Sequence, residues 1–418
     1  MYDRILVRYG ELSLKKSNRN QFVKYITNHI KALLKDYPAL TYQNGGMRFY
    51  IILNGEDPEK IMNVLKDIPG IHSFSPVYKC LTDLEDIKKC VLEVLQRTDL
   101  TNKTIKVDTN RADKNFPLTS LEITKEVSRE LFRNIQGLKA DVHNPDIEIK
   151  LDVRPEGSFV YTESFPGMGG LPSGSLGKTL LMISGGIDSV IAGIEVVKRG
   201  MDIEAIHYAS PPYTSDLALQ KVVDLLQVVT HYKHDQRVLL HVVPFTEIQK
   251  QIYANVREDY GITIMRRMMY RIAEKMATRQ KALAIVNGEN IGQVASQTLE
   301  SISVINNVCK MPIIRPLATL DKSDIILKAR KYGTYDISIK PYEDCCTVFV
   351  PKHPQIYPRL DVSEKLEESF DYETLINEAI ENTKHIVLTS DKKYQVIKTE
   401  EDLFSGVKHG RNKNFCFK

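Results

Sequence analysis

From Thr179 onward, short apolar runs alternate with amphipathic stretches, and this rhythm limits the fold more than any other feature of the chain. Thr179–Ile183 reads as a buried strand, Val190–Lys198 as a helix, Asp202–His207 as a strand and Leu217–His231 as a helix. Arg237–Val243, Arg266–Arg279 and Ala282–Val286 continue as strand, helix and strand. Asp321 is placed to cap a further helix through Arg330, which Gly333 stops. Alternating strand and helix units imply a parallel sheet covered by helices, with ligands at the carboxyl ends of its strands.

Between the first strand and the first helix of that series stands Ser184-Gly185-Gly186-Ile187-Asp188-Ser189. Two glycines allow a tight turn with backbone N–H groups exposed, two serines add hydroxyls, and the following helix aims its positive end at the same point. Together they form an anion cradle suited to pyrophosphate. Asp188 is a carboxylate inside that cradle, which is unfavourable unless it holds Mg2+ or the nucleotide. The plain alternative is a strand-to-helix turn. Nearby, Gly177-Lys178-Thr179 imitates the end of a phosphate-binding Walker motif, but the required first glycine is Pro172, and the segment precedes a strand rather than following one.

The first part of the chain has a different order. Ile5–Val7 reads as a strand, Gln21–Leu34 as a helix, Arg48–Leu53 as a strand, a helix starts at Asp57-Pro58, and His72–Tyr78 returns as a strand. Leu84–Leu95 and Ser120–Asn134 read as helices; Thr104–Thr109, Ile147–Val153 and Phe159–Thr162 read as strands. This suggests small α+β units. Residues 166–178, PGMGGLPSGSLGK, are too rich in glycine and proline to lie inside an element and mark a linker.

Composition is ordinary for a globular chain of 418 residues, with 42% hydrophobic and 26% charged residues. No apolar run is long enough to span a membrane, and the first residues lack the apolar core of a signal peptide. The net charge is only +4, but residues 1–50 alone hold Arg4, Arg8, Lys15, Lys16, Arg19, Lys24, Lys31, Lys35 and Arg48 against Asp3, Glu11 and Asp36. Such a concentration is a footprint for a polyanion or a solvated helix face. The six cysteines show no CxxC spacing, which argues against zinc and for a reducing, cytoplasmic setting.

With SGGIDS, the motifs RYGELSLK, RADKNFP, PGMGGLPSG, SPPYTS, RRMMYR, NGENIGQVASQ, IRPL and PYEDCC occur in one order, and as a set they resemble the tRNA 4-thiouridine synthetases (tRNA sulfurtransferases) over about residues 1–360. The SGGIDS segment is similar to the PP-loop of ATP pyrophosphatases, which cleave ATP between the α and β phosphates and adenylate an oxygen. The resemblance implies a multidomain α/β and α+β chain. An N-terminal ferredoxin-like domain is expected at 1–60, a THUMP RNA-binding domain at 61–165, the linker at 166–178 and a Rossmann-like parallel-sheet PP-loop domain at 179–385. Residues 386–418 are left as a tail matching no motif. The implied reaction is thiolation of uridine 8 in tRNA, by adenylation of O4 and transfer of persulfide sulfur, with ATP and Mg2+ as cofactors. The implied partners are tRNA and a cysteine desulfurase, with a thiamine sulfur-carrier protein as a further acceptor; a homodimer is left open.

Carried over residue by residue, the resemblance implies ATP contacts at Met182, Ile183, Ser184, Gly185, Gly186, Ser189, His207, Tyr208, Arg266, Gly288 and Gln297, and catalytic and Mg2+-binding roles for Asp188. It implies sulfur handling at Cys345 or Cys346, in the doublet that follows Glu343-Asp344, with Cys345 preferred and Cys346 as a resolving or packing residue. Two acids beside a thiol raise its pKa, so activation must come from another group. No second-cysteine rhodanese domain is expected, and Cys80, Cys90 and Cys309 read as core. Candidate RNA contacts are Arg4, Arg8, Lys15, Lys16, Arg19, Arg48, Arg111 and Lys114. The sequence departs from the family at Val190, where Pro is common, and at Ala209, where His is frequent. Two other readings are a PP-loop ligase or amidotransferase, disfavoured by the cysteine doublet, and an RNA-binding protein with an inactive nucleotide domain, disfavoured by the intact SGGIDS.

Overall fold

The computed structural model describes residues 2–11, 19–45, 48–96, 100, 103–342, 351, 353–391 and 394–397. Lys15, Lys16, Cys345, Cys346 and Cys416 therefore lie outside the described residues. The chain divides into two compact units between Pro172 and Ser173, inside the glycine- and proline-rich stretch.

The first unit begins with β1 (Arg4–Tyr9), α1 (Arg19–Leu33), β2 (Thr41–Asn44), β3 (Arg48–Ile52), α2 (Pro58–Leu65) and β4 (Ile71–Cys80). It continues with α3 (Leu84–Leu95), β5 (Thr104–Arg111), α4 (Ser120–Asn134), β6 (Lys139–Ala140), β7 (Ile147–Arg154), β8 (Gly157–Tyr161) and β9 (Phe165–Pro166). The strands join in the order β2-β3-β1-β4-β8-β7-β5-β6, with β9 beside β4. β1 shows why the helices pack as they do. Its alternation sends Ile5 and Val7 to a core with Phe22, Ile26 and Ile30 of α1 and Ile61 and Leu65 of α2, and Leu6 to the opposite face with Tyr50, Val77, Phe159 and Tyr161. Ile87 and Val91 of α3 and Ile123, Val127 and Leu131 of α4 cover β5, β7 and β8. Caps fix the helix starts: Asp57 accepts from Glu59 N with Pro58 following, and Thr119 and Glu122 form a reciprocal capping box. The boundary expected at residue 60 falls inside α2, whose Ile61 and Leu65 belong to the first core, so that core extends through Ile71 and Phe74.

The second unit comprises β10 (Lys178–Met182), α5 (Ile187–Lys198), β11 (Asp202–Ala209), α6 (Asp216–Tyr232), β12 (Arg237–Pro244), α7 (Thr246–Asn255), α8 (Gly261–Arg279), β13 (Ile285–Val286), α9 (Leu299–Asn306), β14 (Ile313–Ile314), α10 (Lys322–Lys331) and α11 (Tyr335–Ser338). Two further helices, Leu360–Glu367 and Tyr372–Glu381, precede β15 (Lys384–Thr389) and β16 (Tyr394–Ile397). The sheet runs β14-β13-β10-β11-β12-β15-β16. Its first five strands pair in parallel, as the alternating pattern predicts, while β15 and β16 add antiparallel. Leu180, Ile206, Tyr208 and Val243 face α7, α8 and Tyr372–Glu381, whereas Leu181 lies under Gly193 of α5 on the other face.

The segment expected to be a tail from residue 386 is thus partly strand. β15 crosses that boundary and β16 lies beyond it. The alternation Ile386, Leu388, both buried, identifies a half-buried strand that covers the edge of β12.

Candidate active site

β10 ends at Met182, and α5 starts at Ile187 rather than at Val190. The helix therefore begins inside SGGIDS, and Asp188 occupies its first turn. The turn is held by the two serines. Ser184 N donates to Ser189 Oγ at 3.1 Å, Ser189 Oγ donates to Ser184 O at 3.0 Å, and Gly186 N donates to Ser184 Oγ at 3.3 Å. Gly288, just past β13, crosses this turn so closely that a Cβ would stand 2.6 Å from both Asp188 C and Ser189 N. Only glycine fits there.

Around this turn lies a cleft of about 260 Å³. Met182, Ile183, Ser184, Gly186, Ser189, His207, Tyr208, Arg266, Gly288 and Gln297 all line it, together with Asp188. Of the expected nucleotide contacts only Gly185 is not part of that wall. Sheet topology explains the convergence: β10, β11 and β13 are parallel neighbours, so their carboxyl ends open on one edge. His207 Nδ1 is 3.1 Å from Ile183 O, and Tyr208 Oη donates to Met269 O at 2.6 Å. Among the described residues, Gln297 Oε1 is buried without a hydrogen-bond partner.

Four further polar residues belong to the site, and of these only Lys322 lies outside the motifs NGENIGQVASQ and IRPL. Lys322, at the first position of α10, places Nζ 2.6 and 2.8 Å from the two oxygens of Asp188. Glu289 and Asn287 line the cleft beside Gly288. Glu289 is 4% exposed and is paired with Arg266 and with Arg315, whose Nε lies 2.6 Å from Oε2. Burial alone would push the Glu289 carboxyl up, but Arg266 and Arg315 outweigh it and hold its pKa below the ordinary value. The NGEN and IRPL motifs were the available signals for Asn287, Glu289 and Arg315; nothing local marked Lys322, which reaches Asp188 from a sequence-distant helix.

The cysteine doublet lies outside the described residues, but its approach is fixed. Lys221 of α6, 5% exposed, donates to Lys340 O at 3.2 Å and Tyr342 O at 2.7 Å. The imitation Walker lysine, Lys178, sits in β10 and pairs with Glu204 at 2.6 Å. Cys80, Cys90 and Cys309 are half-buried at the margins of the apolar cores.

Among the described basic residues of the first fifty, Lys24, Lys31 and Lys35 are exposed, but Arg4, Arg8 and Arg48 do not join them on an open face. Arg4 is 8% exposed, bonds Asp3 at 2.8 Å and lies over the Phe159 ring. Arg8 donates to Ser75 Oγ at 3.0 Å and lies 4.8 Å from the Tyr161 ring centroid. Arg48 pairs with the buried Asp152, which also receives Arg154 Nε at 2.9 Å. The period-two pattern Arg4, Leu6, Arg8 puts Arg4 and Arg8 on the sheet face of Leu6, opposite α1 and α2. Arg111 Nη1 donates to Phe116 O at 3.0 Å and so folds the RADKNFP loop; Lys114 is exposed and Arg19 half-exposed.

Residues 174–372 match the family described as thiamine biosynthesis protein (ThiI), residues 4–75 its ferredoxin-like domain, and residues 82–163 the THUMP domain. A probable tRNA sulfurtransferase of Bacillus pumilus is 46% identical over 392 residues, 94% of this chain and 97% of that protein. The chain belongs to the tRNA sulfurtransferase family. Another family member, from Bacillus licheniformis, is 47% identical over 93% of this chain and 96% of its own length. Among solved structures, a 4-thiouridine synthetase–RNA complex with bound ATP matches with a TM-score of 0.82 and 37% identity, covering 95% of this chain and 100% of that one. In family terms the first unit holds the ferredoxin-like and THUMP domains and the second the PP-loop domain.

Proposed function

We propose that this chain is an ATP-dependent tRNA sulfurtransferase that forms 4-thiouridine at position 8, and that ATP binds in the cleft around Ser184–Ser189. The observation that carries this reading is the convergence of the SGGIDS turn, Arg266, Gly288 and Gln297 on one cleft in a chain of this family. The turn's N–H groups and the first turn of α5 receive pyrophosphate. Gln297 Oε1, buried and without a partner among the described residues, is suited to accept from the adenine amino group. Arg266 offsets phosphate charge.

Mg2+ fits this donor set: Asp188 is one carboxylate at a triphosphate site, and Mg2+ is held by one or two carboxylates plus substrate phosphates. When bound, the ion would neutralise phosphate charge. Asp188 and the Ser184 and Ser189 hydroxyls are the residues to hold it. Lys322, already on Asp188, is placed to balance charge as pyrophosphate departs.

The chemistry has two stages. Uracil O4 attacks the α-phosphorus and pyrophosphate leaves; the outer sulfur of a cysteine persulfide then attacks carbon 4 and AMP leaves, and a second thiol cleaves the new S–S bond, freeing 4-thiouridine and leaving a disulfide that an external thiol reductant returns to thiols. Cys345 carries the sulfur, received from a cysteine desulfurase, with Cys346 as its neighbour. RNA docks through the first unit, with Arg19, Lys114 and the Arg111-braced loop as its phosphate contacts. The match to a family described by thiamine biosynthesis supports a second role, sulfur delivery to a thiamine sulfur-carrier protein. The test is pyrophosphate release with and without tRNA, with 4-thiouridine measured in the same tubes. Release that depends on tRNA and yields 4-thiouridine supports the reading; release that ignores tRNA, or none, refutes it.

A further inference from the structure

A carboxylate in the wall of a cleft that receives a triphosphate should repel its ligand. Glu289 is such a carboxylate, buried and lining the cleft. Its two oxygens have different partners. Oε2 receives Arg315 Nε at 2.6 Å, Asn287 Nδ2 at 2.9 Å and Tyr270 Oη at 3.1 Å. Oε1 receives Arg266 Nη2. Three donors thus fix the carboxylate plane through one oxygen and leave the other aimed at Arg266.

The elements involved explain why the bracket is stiff. Arg266 and Tyr270 stand four residues apart on one face of α8, Asn287 and Glu289 follow β13, and Arg315 follows β14. Arg315 Nη2 also reaches Asn306 Oδ1 at 2.6 Å at the end of α9. Arg266 lines the cleft, whereas Arg315 and Tyr270 are not part of its wall. The two guanidiniums leave the cluster with one net positive charge, and the carboxylate sets where the guanidinium of Arg266 stands.

Resting on the assignment of ATP to this cleft, we infer that Glu289 is a positioning residue for ATP: it holds Arg266 against the phosphates, and Arg315 acts on the nucleotide through Glu289. Removing Glu289 leaves two guanidiniums facing each other without their shared counter-charge. Arg266 then turns away from the cleft, and ATP is bound less tightly although the SGGIDS turn is intact.

The experiment is calorimetric titration of the full chain with ATP alone, followed by tRNA-dependent pyrophosphate release at varied ATP. Glu289→Gln should weaken ATP binding and raise KM for ATP by about tenfold, with a smaller change in kcat and none in tRNA affinity. Glu289→Asp should recover part of the loss. Arg315→Met should weaken ATP in the same direction, and the double variant should be no worse than Glu289→Gln, because both act through one contact. If Glu289→Gln does not fold, Arg315→Met and Glu289→Asp carry the test. Unchanged ATP affinity in the folded variants, equal losses in ATP and tRNA affinity, or additive effects in the double variant would overturn the inference. Failure of the wild-type chain to bind ATP would instead overturn the assignment of the cleft.

Discussion

Lys322 closes on Asp188 from the far side of the sequence, its Nζ 2.6 and 2.8 Å from the two carboxylate oxygens. The pair joins the start of α10 to the first turn of α5, where the helix dipole also favours negative charge. On the proposed assignment of the cleft, replacing Lys322 by Ala removes a cation beside the leaving pyrophosphate. We expect kcat for tRNA-dependent pyrophosphate release to fall by roughly a hundredfold, the scale for losing one aimed electrostatic donor. tRNA affinity measured by filter binding should not change. Wild-type turnover in this variant would remove Lys322 from the reaction.

Gly288→Ala tests the geometry of the same turn. The new Cβ would meet the main chain of Asp188 and Ser189 at 2.6 Å, and main chain cannot swing aside. Overpacking of this kind destabilises by about 1–3 kcal/mol. The variant should melt earlier and lose ATP binding in calorimetry. A variant with normal ATP affinity would show that the turn tolerates displacement.

The doublet separates two stages of the reaction. Cys345→Ser should release pyrophosphate on tRNA yet give no 4-thiouridine, because adenylation needs no thiol and serine cannot carry a persulfide. Cys346→Ser should retain most activity. Parallel assays of pyrophosphate and 4-thiouridine decide between the two residues: loss confined to the Cys346 variant moves the role to Cys346, and full activity in the double variant excludes a protein thiol.

A pH effect on stability comes from a histidine pair on the sheet. His385 Nδ1 is 2.8 Å from His241 Nδ1, and His241 Nε2 is 3.2 Å from Glu204. Burial, then the neighbouring His241, pulls the pKa of His385 down to about 4 from 6.5. The unfolded chain therefore takes up the proton first as pH falls. The His385 contribution is complete above about pH 6.5 and declines towards pH 4. Thermal melts from pH 7 to 5 should show wild type losing stability faster than His385→Gln. Parallel curves would contradict the placement of His385.

Residues 173–418 should fold alone, bind ATP and fail to thiolate tRNA, since the chain divides at Pro172. Binding of tRNA by the full chain should weaken steeply with salt through counterion release. Thiolation by the fragment at full rate would take RNA recognition away from the first unit.

The parallel sheet and the cleft were legible in the sequence because their signals are local. Strand and helix periods, the SGGIDS turn and the Gly288 and Gln297 motif each lie within a short window, and strand-end geometry brings them together. Lys322 and Lys221 were not legible: each acts across more than a hundred residues, between elements whose juxtaposition only the fold supplies. The first fifty residues were legible in part. Lys24, Lys31 and Lys35 are exposed, but charge counting ignores the strand contacts that engage Arg4 and Arg8 and pair Arg48 with Asp152. β15 escaped notice because its reading stopped where family motifs stop, although Ile386 and Leu388 alternate as a strand requires.

On the proposed reading, this cleft activates tRNA uridine with ATP for thiolation. The most direct measurement is nucleoside mass spectrometry of tRNA incubated with ATP, a persulfide-generating cysteine desulfurase and either the wild-type chain or Asp188→Ala. We expect 4-thiouridine, matched by released pyrophosphate, with the wild type, and neither with the variant despite undiminished tRNA binding. Equal 4-thiouridine from both proteins, or formation without ATP, would contradict it.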